Sequence, residues 1–436
     1  MSFATRITYK LCFYSLLLFT CFSVQAQETE MTLTAAIAEA LAKHPSISIG
    51  RSRLTQSEAD YQTARAGLLP RLSANAYYNR LDPQRMGLSS STTALYGRES
   101  FAGLSAKQLL YDGSTQSKDE AAREFIAVKQ AGLDGAGGDL VYQVTQSYYR
   151  VLEAAALMQA AKEAFTRTSE FETLTRVLFE AGKTTRLDLL KAGNARIDAE
   201  TTLTRTRELA TTAQVLLTAV MGRENPDFRI AGQLPGAVEP PLLEPAIKAE
   251  VLAKNPELRQ LRHQIAQAER NLDAASGARH PTISLQGTAG NRARDIGGNA
   301  NEWTAGIFFD LPLYDGGIIA AGVVKAQALL TEGRAAERNA QLDIESRLRQ
   351  ALSTWRTAQA DAISSTERIK TGHEATRTAE GLYRAGKATA LDVLSAQADL
   401  ARAEGDRAQA LTAYAIARAA IDRLLGKTIL STGEKQ

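Results

Sequence analysis

The residues with chemistry to offer fall into scattered singles and matched pairs. The singles include four histidines, His44, His263, His280 and His373. Their spacing closes no metal site, and His44 and His280 precede prolines at element boundaries. No Ser-His-Asp or Cys-His set emerges for nucleophilic catalysis. Gly132, Gly135, Gly137 and Gly138 have the composition of a phosphate loop. No strand pattern leads into them and no Lys-Ser/Thr follows. They read instead as a kink or a close contact in a helix. The chain therefore reads as a non-enzyme without cofactor or metal.

The pairs are more informative. Residues 179–190 (FEAGKTTRLDLL) and 383–394 (YRAGKATALDVL) share seven of twelve positions. Gly182 and Gly386 suit the left-handed residue that ends a helix. Thr185 with Asp188, and Thr389 with Asp392, have the spacing of a capping box that starts the next one. Lys183, Arg186 and Lys387, beside Leu187, Ala388 and Leu391, would give each turn a basic, small-apolar surface on which a partner's helical hairpin could seat. Asp188 and Asp392, repeated around an assembly, would make a cation-favouring ring. Capping alone and gating are both open uses of these carboxylates.

The turns belong to a chain written twice. His44-Pro45 is answered by Asn255-Pro256, and Leu69-Pro70 by His280-Pro281. Tyr111-Asp112-Gly113 is answered by Tyr314-Asp315-Gly316, and Met221-Gly222 by Leu425-Gly426. The expected first repeat, 27–222, holds helices 46–67, 114–181 and 185–220 and strands 71–80 and 101–110. A linker, 223–250, leads to the second repeat, 251–427, with helices 257–277, 318–385 and 389–424 and strands 282–291 and 303–313. A tail, 428–436, follows. Polar loops are expected at 82–99 and 292–301.

Periodicity sets the faces. Leu140, Val144, Tyr148, Val151 and Ala155 step along one side of the first long helix. Ile344, Leu348, Leu352, Trp355 and Gln359 do so in the second. Trp303, Ala305, Ile307, Phe309, Leu311 and Leu313 alternate onto one strand face, and Trp303 is the candidate membrane-interface aromatic. The fold class is mainly α with a small β part, an internally duplicated helix–strand–strand–long helix–helix unit.

Arg6 and Lys10, an apolar run over 11–24 and Val24-Gln25-Ala26 read as a secretory signal peptide, 1–26. Both cysteines, Cys12 and Cys21, fall inside it, and Phe19-Thr20 make a poor lipidation context for Cys21. The formal net charge is +3, two of it from Arg6 and Lys10, so no field points to nucleic acid. No later run is long enough for a membrane-spanning helix.

A long helix of this kind makes a rod of roughly 100 Å, and the two shorter helices of each half stack to a similar length. Four strands per chain cannot seal a sheet in lipid. Barrels need about eight or more, and three chains supply a twelve-stranded barrel wide enough to continue into a hollow helical cylinder. The duplication, the Asn-Pro or His-Pro starts, Leu-Pro, Tyr-Asp-Gly and Ala-Gly-Lys-x-Thr-x-Leu-Asp-x-Leu together resemble the TolC-type outer-membrane efflux channels over nearly all of residues 31–427. The resemblance implies a homotrimer with a twelve-stranded outer-membrane β-barrel continued by a periplasmic α-helical coiled-coil barrel. It implies a periplasmic adaptor that docks at the tips, and an inner-membrane pump of RND, ABC or MFS type. Some members carry a second acidic residue one turn on in the second hairpin, where Ser395 stands here. The aperture set is then Asp188, Asp392 and Ser395. Drugs, metal ions or a polypeptide remain open as cargo, and a periplasmic coiled-coil scaffold is the rival reading.

Overall fold

The structure, a computed structural model, describes residues 29–80, 98–236, 244–294 and 298–427. The expected signal peptide, nearly all of the loop at 82–99, the middle of the Pro-rich linker and the tail at 428–436 lie outside the described residues. The first half runs β1 (Thr29–Met31), α1 (Leu33–Lys43), α2 (Pro45–Ala66), β2 (Arg71–Arg80), β3 (Arg98–Asp112), α3 (Thr115–Glu180), α4 (Arg186–Val220) and β4 (Phe228–Ile230). The second runs α5 (Glu244–Lys254), α6 (Pro256–Gly277), β5 (Thr282–Arg294), β6 (Gly298–Asp310), α7 (Ile318–Arg384) and α8 (Ala390–Leu424).

Helices α3 and α7 have 66 and 67 residues, so each is roughly 100 Å long. Helices α2 and α4 both pack along α3, and α6 and α8 along α7. Where α4 ends and α2 begins, a Cβ on Gly222 would lie 3.2 Å from His44 Cα, so the two helices abut end to end. The halves join along α3, which also packs against α6 and α8. The buried seams follow the expected stripes as far as Val151 and Trp355. They then use Ala154 and Ala358 in place of Ala155 and Gln359. Repeated steps of four drift about 40° each around a 3.6-residue helix, and a step of three returns the chain to its seam. The glycines of α3 leave it unbroken and face neighbours on two sides: Gly135 opposes Pro256 and Gly137 opposes Leu41. A Cβ at Gly132, Gly135 or Gly137 would stand 3.5, 3.7 or 3.9 Å from its neighbour, an ordinary contact, and one at Gly138 would meet nothing within 4 Å, so the expected close contact is not found.

Helices α1 and α5 and strands β1 and β4 were not anticipated. The linker expected at 223–250 contains β4 and the start of α5, so the second repeat begins earlier than 251. An 11-residue helix behind a proline-rich run shows little period. Its Ile247 and Val251 become legible only against Ile344 and Leu348. Strands β1 and β4 pair in parallel. The Tyr148 hydroxyl donates toward the carbonyls of Met31, at 3.4 Å, and Ala231. That ties the small sheet to the midpoint of the α3 rod.

The larger sheet is antiparallel with order β2–β3–β5–β6, leaving β2 and β6 as open edges. Strand β6 starts at Gly298 and stops at Asp310, not at 303 and 313. Pro312 lacks an N–H to pair and restricts Leu311 before it, so Leu311 and Leu313 leave the ladder. At the other end the polar residues taken for a loop at 292–301 are mostly in strands. Polarity on both faces there marks a strand that continues beyond its apolar stretch.

Candidate functional site

Two places concentrate the features that the repeat singled out. The first is the pair of hairpin tips. Gly182 and Gly386 have φ of +71° and +70°. Lys183 N donates to Leu178 O at 2.8 Å and Lys387 N to Leu382 O at 2.8 Å, closing both long helices with a Schellman turn. Helices α4 and α8 then restart on capping boxes at Thr185–Asp188 and Thr389–Asp392. The spacing thus fixes a two-helix turn in which the N–H groups of Gly182, Lys183, Gly386 and Lys387 close the long helices and those of Thr185, Asp188, Thr389 and Asp392 are taken up by the capping boxes.

Both aspartates are held below the ordinary carboxylate range. For Asp188 burial pushes upward, and hydrogen bonds from Thr185 and Thr184, with Lys191 nearby, outweigh it. For Asp392 the causes are the backbone N–H of Thr389, at 2.8 Å, and its hydroxyl, at 2.7 Å. Both carboxylates are therefore charged at neutral pH.

The tips differ where they meet. Phe171, Ala192, Tyr383, Ala390 and Val393 form a small core between the two hairpins. Phe171 and Tyr383 rings lie 5.1 Å apart. Ala388 packs against this core, so it is half-buried and not the exposed apolar contact that was expected. Leu187 and Leu391 are exposed, as are Lys183, Arg186, Lys387 and Ser395. Asp188 is half-buried and Asp392 exposed. The sequence reading missed Tyr383 and Phe171. The signal was present: position 383 aligns with exposed Phe179, and Tyr for Phe adds a hydroxyl with a partner to find.

The second place is the sheet. Trp303 opposes Ala289, Ala305 opposes Gly287 and Ile307 opposes Leu285. Through β3 and β2 the same face continues with Leu104, Ala106, Ala74 and Leu72. Trp303, Ile307 and Phe309 are 77%, 71% and 64% exposed. The opposite face carries a polar ladder. Ser73 and Ser105 hydroxyls are 2.7 Å apart, and those of Thr288 and Thr304 2.6 Å. Beyond Trp303, on its own face, Asn291 bonds Asn301 at 3.1 Å, so the apolar band ends there. One solvent-averse and one polar face suit a wall between lipid and water. Asp315 then accepts from Gly317 N at 2.9 Å and Ile319 N at 2.6 Å, explaining the Tyr-Asp-Gly motif as the start of α7. Among the described residues no group of acids, histidines or cysteines is placed to hold a metal ion.

The family model described as outer membrane efflux protein matches residues 36–223 and 248–427. The outer membrane efflux protein BepC of Brucella suis is 24% identical over 386 residues, covering 85% of this chain and 79% of BepC. The probable efflux pump outer membrane protein TtgC of Pseudomonas putida is 26% identical over 391 residues, covering 86% and 80%. Among solved structures, VceC of Vibrio cholerae superposes with a TM-score of 0.77 at 19% identity, covering 90% of this chain and 96% of that one. The MtrE outer membrane channel of Neisseria gonorrhoeae gives 0.77 at 23% identity, covering 90% and 88%. With the duplicated architecture, the capped tips and the two-faced sheet in place, the match over most of its length means that this chain belongs to the outer membrane efflux protein family.

Proposed function

We propose that the chain is the exit duct of a tripartite efflux or type I secretion system, passively conducting cargo from an inner-membrane pump and periplasmic adaptor to the exterior. The observation that carries this is the open four-stranded sheet with one exposed apolar face. Unpaired edges are not stable in lipid, so β6 of one copy pairs with β2 of the next, and three copies close twelve strands. The helical layer has matching unpartnered edges: Ile197, Leu209 and Leu216 on α4, and Val324, Leu329 and Leu342 on α7, are about half exposed or more. A periplasmic scaffold has no use for the apolar sheet face. The names of two relatives from Pseudomonas putida, an antibiotic efflux pump outer membrane protein and a toluene efflux pump outer membrane protein, favour small-molecule efflux over polypeptide secretion.

In this reading Trp303 sits at the outer membrane interface, at the upper limit of the apolar band. Gly182, Lys183, Thr185, Arg186 and Leu187, with Gly386, Lys387, Ala388, Thr389 and Leu391, form the adaptor-facing tips. Exposed lysines and leucines there supply register and contact, while Ala388 supports from behind. Asp188 and Asp392 double as caps and as the aperture's negative groups, and Ser395 leaves the ring single. The test is the purified protein in mild detergent. A heat-sensitive trimer that gives stepwise currents in a planar bilayer is expected, with leak raised by Asp392→Ala. A stable monomer without current overturns the duct, and unchanged leak and cation block in Asp392→Ala overturn the gate alone.

A further inference from the structure

The polar face of the sheet carries charged levels that are treated differently, including an acidic one where Asp112 and Asp310 flank Thr282. Toward the hairpin ends Arg292 is neutralised: it donates to Glu99, to Glu302 at 2.5 Å and to the Tyr77 hydroxyl at 2.8 Å, over the Phe101 ring. Toward the helices Arg71 and Lys107 stand directly opposite each other on β2 and β3. Both are exposed, and among the described residues neither has an ion-pair or hydrogen-bond partner for its side chain. Their face-mates Ser73, Ser105, Thr288 and Thr304 are neutral. The carboxylates of this face that flank their level on β6, Glu302 and Asp310, are each four residues from Gly306, which marks it. That is about 13 Å along the strand. Asp112 is engaged by Ser114 and Thr115 at the start of α3.

Opposed like charges weaken a strand pair. Their height coincides with Leu72, Ala106 and Ile307 on the apolar face, so they lie within the membrane-spanning part of the wall. Charge at that depth persists where it faces water and marks a pathway. We propose that Arg71 and Lys107 form a basic collar in the lumen of the barrel that draws in solutes bearing carboxylate, phosphate or sulfonate groups. The collar rests on the trimeric duct proposed above, in which three copies bring six cations to one level. Rings of Arg and Lys select for anions in other pores.

The probe is Ser105→Cys, one pairing step from Lys107 on the same face. The assembled trimer is treated from outside with a sulfonate-bearing and with an ammonium-bearing thiol reagent, and modification of residue 105 is followed by mass. The sulfonate reagent is expected to react preferentially. Adding Arg71→Gln and Lys107→Gln lowers the anion-to-cation rate ratio by roughly fivefold, and Arg71→Lys with Lys107→Arg preserves it. An unchanged ratio in a labelled trimer overturns the collar and leaves the duct standing. No labelling by either reagent places this face away from the lumen and overturns both.

Discussion

The hydroxyls of Thr184 and Tyr383 lie 3.2 Å apart, one on each hairpin. Thr184 donates its single proton to Asp188 at 2.9 Å, so Tyr383 is the donor to Thr184. A relay from Tyr383 through Thr184 to Asp188 thus joins the second hairpin to the cap of the first. Tyr383→Phe keeps the contact with Phe171 and removes only this link. A net hydrogen bond contributes about 1 kcal/mol. Amide exchange of the second tip is therefore expected to accelerate roughly fivefold while the rest of α7 is unchanged. Equal exchange in both proteins would show that the hydroxyl link does not hold the hairpins together.

The caps make a pH prediction with a definite sign. Asp188 and Asp392 are both lowered in the folded state. Their stabilisation is present above the unfolded carboxylate value, near 3.9, and is lost as pH falls through the lowered folded values. The tips should stay closed from neutral pH to about pH 5 and fray only below about pH 4. Exchange at residues 185–188 and 389–392 across that range checks it. Thr185→Ala should reproduce the fraying at neutral pH, at a local cost of about 1 kcal/mol.

Arg167 on α3 donates to both oxygens of Glu404 on α8, at 3.2 and 2.9 Å. The pair is largely shielded, with side chains 18% and 11% exposed. Removing Glu404 leaves the shielded Arg167 guanidinium with only the more exposed Glu163, at 3.9 Å, as counter-charge. Glu404→Ala is expected to cost about 3 kcal/mol, seen as a lowered midpoint of thermal unfolding in detergent. Arg167→Met with Glu404→Leu should recover most of it. If the double variant is no better than Glu404→Ala, the loss comes from packing and not from the guanidinium left behind.

What the sequence disclosed follows from how local each signal is. The capping boxes and Schellman glycines are local chemistry, and both tips were readable from Gly182 to Asp188 and from Gly386 to Asp392. Strand β2 was readable because alternation and Pro70 bound it. Helix α5 was not, since a short helix of little period bears its pattern only when its seat is known. Helix α1 was legible in its Thr32 cap and in Leu33, Ile37, Ala40 and Leu41 on one face, and the sequence reading passed over it. Tyr383 and Phe171 meet across two hairpins, and the Arg71–Lys107 opposition depends on register between strands. Neither relation exists in one dimension.

Register also supplies the sharpest test of which face meets lipid. Thr304 and Ile307 lie three residues apart on β6, and their partners Thr288 and Leu285 place them on opposite faces. An arginine on the lipid side of a barrel costs about 2–4 kcal/mol near the midplane, and one in the lumen costs little. Ile307→Arg should therefore deplete heat-sensitive trimer from the outer membrane fraction, whereas Thr304→Arg should assemble normally. Because the two changes add the same side chain to the same strand, aggregation or translation defects affect them alike. Only the side of the wall differs. Reversed sensitivities would put the polar ladder against lipid and overturn the assignment of faces. Equal assembly of both would mean that this sheet is not in a membrane.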